Sequence, residues 1–143
     1  MDLTRIALST LGAFVAYFLT GGLMFVVLRS LKDEFRKYPA VYRDHDSIMK
    51  VMPVGMAAMF GAMLVLSVIY SMLYTGGSTL ADGARLGAIF GSLIGLFAIC
   101  AFVIHNYANL NIGLKLTLQQ SAAYFVEWLV TGVVIGLIYR PHH

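Results

Sequence analysis

An all-α, integral membrane four-helix bundle is the fold class this sequence predicts, and three observations predict it. Of 143 residues, 59% are apolar and only 12% charged, about half the charged share of an ordinary soluble domain. The mean hydropathy is +0.80. The apolar residues gather into four stretches of about 22, each long enough to cross a hydrocarbon layer about 30 Å thick as a helix. A chain this short leaves much of its surface facing its surroundings, so so apolar a composition does not suit water. Aromatics are plentiful, glycine has no three-residue period and there is one cysteine, which excludes disorder, collagen and a disulfide scaffold. Stretches of this length and uniformity are helices rather than barrel strands.

The spans are expected at about 6–28, 51–74, 86–108 and 118–139, as one membrane domain over 1–143. The first has too long an apolar stretch for a cleavable signal and runs into Arg29 with no small-residue cleavage site. Its Ser9, Ala13, Ala16 and Thr20 form a small-residue face. The segment from 29 to 50 follows, with Lys32, Asp33, Glu34, Arg36, Lys37, Arg43, Asp44 and Asp46 alternating in sign, unlike a nucleic-acid-binding run. Leu31, Phe35, Tyr38, Val41 and Tyr42 lie among these charges, which suits an interfacial helix broken before Pro39. The segment reads as a solvated connector with snorkelling side chains, or as a surface for a partner or anionic lipid. Seven basic residues, from Arg29 to Lys50 and at Lys115, lie on the side of the first and third loops. Arg5, Arg85 and Arg140 lie on the other, which puts both termini outside and the charged loop in the cytoplasm, in the manner of a bacterial inner-membrane protein.

Span two places Pro53 in its first turn, where the missing N–H does no harm. It also carries Met49, Met52, Met56, Met59 and Met63 at spacings of 3, 4, 3 and 4. Such a stripe would suit soft Cu(I), and it would equally fill irregular gaps in apolar packing. Thr75, Gly76, Gly77 and Ser78 break the pattern before span three. Gly87, Gly91 and Gly95 then repeat at four residues, with Ala98 continuing a stripe about 80° wide at 100° per residue. His105 and Asn109 fall on the same stripe. Asn109, Asn111 and Gly113 interrupt the pattern before span four, which has Gly132 and Gly136. These glycine faces serve close packing inside the bundle or a homo-oligomer interface. Cys100 is alone and forms no intrachain disulfide, and the terminal His142 and His143 are given no role.

Span four also holds Glu127, nine residues past Leu118 and so about 13 Å deep. An ionisable group there is costly and marks function by default. Gln120, Tyr124, Glu127 and Thr131 follow at 4, 3 and 4 residues, one polar stripe about 60° wide on a side away from the glycines. Depth matching puts Leu19–Thr20, Phe60 and Ile99–Cys100 level with Glu127, and His105 too near the edge for a direct hydrogen bond. Glu127, Tyr124, Gln120, Thr131 and His105 are therefore the candidate ligand or proton site. No cofactor can be named from these residues. Haem would need a second axial ligand beside His105, and no catalytic triad, HExxH, CxxC or phosphate loop occurs.

Two resemblances add to this. The last third, His105-Asn106-Tyr107-Ala108-Asn109-Leu110 through Tyr124-Phe125-Val126-Glu127-Trp128 to Gly136-Leu137-Ile138-Tyr139-Arg140, resembles small uncharacterised bacterial four-helix membrane proteins and implies no activity. Val41-Tyr42-Arg43, with His45 and Pro53, is similar to the second-helix start of the MAPEG family of glutathione-dependent membrane enzymes. That likeness implies four spans, a trimer and a glutathione site using Arg43. At the family's Asn and Glu positions this chain has Ser47 and Lys50, the second a reversal of charge. The leading expectation is a non-catalytic accessory subunit or a binder of a small apolar or quinone-like ligand near Glu127. A proton-coupled transporter and a MAPEG-like enzyme are the alternatives. Partners are the lipid bilayer, further copies of the chain and a membrane subunit, with no nucleic acid.

Overall fold

The computed structural model describes residues 2–75 and 79–139. Over these residues the chain is helical, with α1 at Leu3–Val27, α2 at Leu31–Arg36 and α3 at His45–Leu73. Next come α4 at Leu80–Ala98, a π-helical segment at Ile99–Ile104, α5 at His105–Asn109 and α6 at Leu114–Tyr139. Four units, Leu3–Val27, His45–Leu73, Leu80–Asn109 and Leu114–Tyr139, are long and apolar enough to cross a membrane. The fold is thus an all-α four-helix bundle of the membrane type.

All four start earlier than their apolar stretches do, and in three of them a capping residue extends the start. The Asp2 carboxylate accepts the Arg5 N–H at 3.1 Å, Asp44 accepts the Ser47 N–H at 2.9 Å, and Thr79 accepts the Asp82 N–H at 3.1 Å. Each satisfies one of the amide donors that a helix start leaves free. The polar turns between cap and apolar stretch are therefore helical, and α3 begins at His45 rather than near 51. Pro53 is consequently inside α3 and not in its first turn. Its missing N–H deprives the Met49 carbonyl of its intrahelical donor. The expected break at Gly76–Ser78, Arg140 and the terminal His142 and His143 lie outside the described residues.

Helix α6 is the centre of the bundle. It packs on α4 along one side and on α1 along another, and α3 rests mainly on α1. Ile6, Ala13, Met63, Tyr70, Ala98, Trp128, Ile135 and Tyr139 form the main core. The small face of α1 is inside as its pattern implies, with Ser9, Ala13 and Thr20 buried. Of the Met stripe on α3, Met63 is buried and Met59 packs on the core, whereas Met49, Met52 and Met56 are exposed. The stripe therefore runs off the bundle, and it makes no continuous line of sulfur within it.

The α4–α6 seam shows why glycine recurs at four residues. A Cβ on Gly83 would lie 2.6 Å from the Gly136 carbonyl oxygen. One on Gly87 would meet the Gly132 carbonyl, and one on Gly91 the Trp128 carbonyl. From the other side, Gly132 and Gly136 abut the backbones of Gly91 and Gly87. Two helix backbones touch along this line, which hydrogen in place of Cβ permits and any side chain prevents. The glycine faces are thus occupied within one chain, and Gly83 extends them by a turn.

The π-helical segment corrects the placing of His105. A regular helix would carry the buried face from Gly95 and Ala98 on through 102, 105 and 109. Instead burial passes from Ala98 to Val103, five residues on, and Phe102, His105 and Asn109 are exposed. A wider turn takes up an extra residue and rotates everything after it.

Candidate ligand groove around Glu127

Glu127 lies 13 residues past Leu114 in the 26-residue α6, about 20 Å along it and close to its middle. It is buried, at 8% exposure. Tyr17 of α1 and Glu127 of α6 line one groove. A carbon at Gly21 would lie 3.3 Å from Glu127 Oε1, so the α1 backbone runs directly past the carboxylate. The Tyr17 ring in turn leans on the indole of Trp128, centroids 5.1 Å apart. Depth matching had pointed to Leu19–Thr20 on α1, and Tyr17 and Gly21 flank that level. The levels named on α3 and beyond α4, Phe60 and Ile99–Cys100, do not line the groove.

Glu127 opens into a groove of about 550 Å³. One wall is α1 from Tyr17 to Phe25, and the other is the face of α6 carrying Gln120, Ala123, Tyr124 and Glu127. Leu31 and Phe35 of α2, with Tyr42 after it, close the end nearest the charged loop. Gln120 Nε2 reaches the Tyr42 hydroxyl at 3.5 Å, the outer limit of a hydrogen bond. Three members of the expected polar stripe therefore share one wall. Thr131 does not: its hydroxyl donates to the Glu127 carbonyl at 2.7 Å and is spent on its own helix. His105 is exposed and lies outside the groove, to which no residue of α4, the π-helical segment or α5 contributes. Arg43 and His45 are exposed at the start of α3 and line no part of it. Among the described lining residues there is no Lys, Arg or His.

Tyr17, Gly21 and Phe18 were not singled out by sequence reasoning. A signal existed, since Gly21-Gly22 is a helix-weakening pair in an otherwise apolar span and calls for a reason. Gly21 has one, in the room it leaves for Glu127.

The charged loop is not a free connector. Leu31 is buried with Ile112, Leu116 and Ala123 in a second core, packed around by Phe35, Tyr38, Val41 and Tyr42. The Gly113 N–H donates to the Tyr38 hydroxyl at 2.9 Å. Glu34, 4% exposed, receives Lys37 Nζ at 2.7 Å and Lys115 Nζ at 2.8 Å. Helix α2 still ends at Arg36, before Pro39 as expected. What the spacing of charges hid is that one carboxylate of the alternating set turns inward to a lysine 81 positions away.

Hydrogen bonds from Lys115 and Lys37 hold the Glu34 carboxyl below the ordinary glutamate range. The ion pair with Glu34 holds the Lys37 ammonium above its ordinary value. A carboxyl lowered in the folded state adds stability above its unfolded pKa and loses it as pH falls through the folded one. A raised lysine adds stability below its unfolded pKa and loses it as pH rises through the folded one. Docking of α2 should thus hold near neutrality and weaken once pH falls below the ordinary carboxyl range. Hydrogen exchange of residues 31–42 measures it, and Glu34→Gln should remove the acid-dependent step. Unchanged acid-dependent exchange in that variant would show that another group drives it.

No family model, curated protein or solved structure matches the chain.

Proposed function

We propose that this protein is a non-catalytic, membrane-embedded binder of a small, largely apolar molecule with one polar end, which is received by Glu127, Tyr124 and Gln120. The observation that carries this is the groove itself. A mid-helix carboxyl group, costly to place in an apolar span, opens into about 550 Å³ walled mainly by apolar and aromatic side chains. A few polar groups converging in an apolar cleft are what orients such a ligand, and a quinone is the simplest neutral example.

Two measurements test it. Native mass spectrometry of the gently extracted protein should retain a small-molecule mass. Titration with a short-chain quinone should quench the fluorescence of Trp128, the single tryptophan, through its neighbour Tyr17 in the groove wall. No retained mass together with unsaturable quenching would overturn the proposal.

A second reading, a small proton-coupled transporter, is favoured by one observation: the same carboxyl is both buried and open to the groove. Proton-driven flux in vesicles should then fall in Glu127→Gln and persist in Glu127→Asp, whereas flux indifferent to both substitutions removes it. The glutathione-dependent reading draws no support from this site, since Arg43 lies outside it. Both termini outside, residence in a bacterial inner membrane, and assembly with further copies or a partner subunit belong to the same proposal. The α4–α6 glycines are already taken, so association would use other surfaces.

A further inference from the structure

Six of the thirteen described residues lining the groove are aromatic: Tyr17, Phe18, Phe25, Phe35, Tyr42 and Tyr124. The carboxyl group of Glu127 is the one acid among the described lining residues, and none of them is basic. An aromatic ring presents a negative face, and the Glu127 carboxyl group, with no basic side chain beside it in the groove, can take up a negative charge against a cation brought to it. Both attract the same thing, a positive charge shielded from water. A neutral carbonyl head would use the hydroxyls and the Gln120 amide, but it would make no use of the charge that the carboxyl group can carry. A strongly hydrated small metal ion would find too few oxygen ligands beside so many rings. An organic cation, whose charge is spread over carbon-bearing nitrogen, satisfies both the carboxylate and the rings, and its apolar part fits the rest of the groove.

The geometry of α1 says how such a molecule arrives. Phe18 and Phe25 are 42% and 49% exposed on the outer surface of the bundle, yet they also line the groove. Between them, Gly22 has open space where a side chain would stand. The groove therefore reaches the apolar exterior beside α1, the side from which a lipid-dissolved molecule comes. On the inward side, Gly21 brings the passage to the carboxylate.

From this we infer that the groove selects lipophilic amines or quaternary ammonium compounds, with the cationic head on Glu127 among the rings of Tyr17, Tyr124 and Tyr42 and the apolar part towards Phe18 and Phe25. The inference rests on the ligand-binding reading above and gives it a chemical class. Rings contribute cation–π attraction and the carboxylate contributes the counter-charge, so charge, and not only shape, sets affinity.

The test compares two probes of one shape, benzyldimethyloctylammonium and its uncharged isostere with a quaternary carbon in place of nitrogen. Binding is measured by calorimetry to the full chain in non-ionic detergent, with the short-chain quinone alongside. The ammonium compound should bind at least about tenfold more tightly than the isostere. The gap should close in Glu127→Gln and persist in Glu127→Asp, with thermal midpoints showing both variants folded. Removing rings by Tyr124→Leu should weaken the ammonium compound more than the isostere. Equal binding of the two probes by the unaltered protein would overturn the cation inference and leave the ligand-binding reading standing. Binding of neither probe nor quinone would overturn both. Should Glu127→Gln fail to fold, the probe comparison in the unaltered protein and Tyr124→Leu still decides the outcome.

Discussion

Replacing Gly91 by leucine should destabilise the bundle by about 3 kcal/mol or more, among the largest effects expected of a single change in the α4–α6 seam. A Cβ there would meet the Trp128 carbonyl and lie 3.0 Å from both the Gly132 Cα and the Leu129 carbonyl oxygen. All three obstacles are backbone, which has no rotamer to change. The helices have to move apart, and the contacts on either side of Gly91 go with them. Gly132→Leu should cost a similar amount, since its Cβ would strike Gly87 and Gly91. The two together should cost less than their sum, because once the helices have separated the second side chain meets little. Gly61→Leu on α3, where nothing lies within 4 Å, should change stability by no more than about 0.5 kcal/mol. Unfolding in mixed micelles measures all four. A Gly91→Leu protein as stable as the parent would show that the α4 and α6 backbones are not in contact.

Gly21→Leu should abolish ligand binding while leaving the fold in place. Its Cβ would stand 3.3 Å from Glu127 Oε1 and 3.6 Å from Cδ. The obstacle here is the end of a flexible side chain, which can shift by a few tenths of an ångström. The rest of the leucine has only the groove to enter, where it takes the place of the polar end of the ligand. Affinity should fall by about 100-fold, or about 2.7 kcal/mol, for the short-chain quinone and for the ammonium probe alike. Gly55→Leu, an open position on α3, should leave affinity unchanged. Quenching of Trp128 and calorimetry report the loss, and the thermal midpoint reports that the protein is folded. Full affinity in Gly21→Leu would place the ligand elsewhere. That outcome would separate a binding role of the chain from the role assigned to this groove.

Composition and periodicity by themselves determined that the chain forms four apolar helices, where they lie to within about two turns, and that small residues mark their close contacts. These are local properties: an apolar stretch of 22 residues must be helical in a membrane whatever its neighbours do, and a glycine every four residues lines one face of any regular helix. The polar side of α6 through Gln120, Tyr124 and Glu127 was legible for the same reason. Helix starts were less so, because Asp44 and Thr79 look like loop residues until their side chains are seen bonding to the amides of Ser47 and Asp82.

Only the tertiary structure decided which faces meet. Depth could place Glu127 level with the middle of α1, but not choose α1 over α3 or α4, and not show that Gly21 was the residue making room. It could not foresee the π-helical turn at Ile99–Ile104, whose extra residue moved His105 off the face that its spacing from Gly95 assigned to it. Nor could alternating charges reveal that Glu34 turns inward to Lys115, since the pair is made by folding α2 back onto the start of α6. Spacing along a chain records which side chains share a face of one helix. Which face meets which neighbour depends on shape and charge summed over segments far apart in the sequence, and that is settled when the helices assemble.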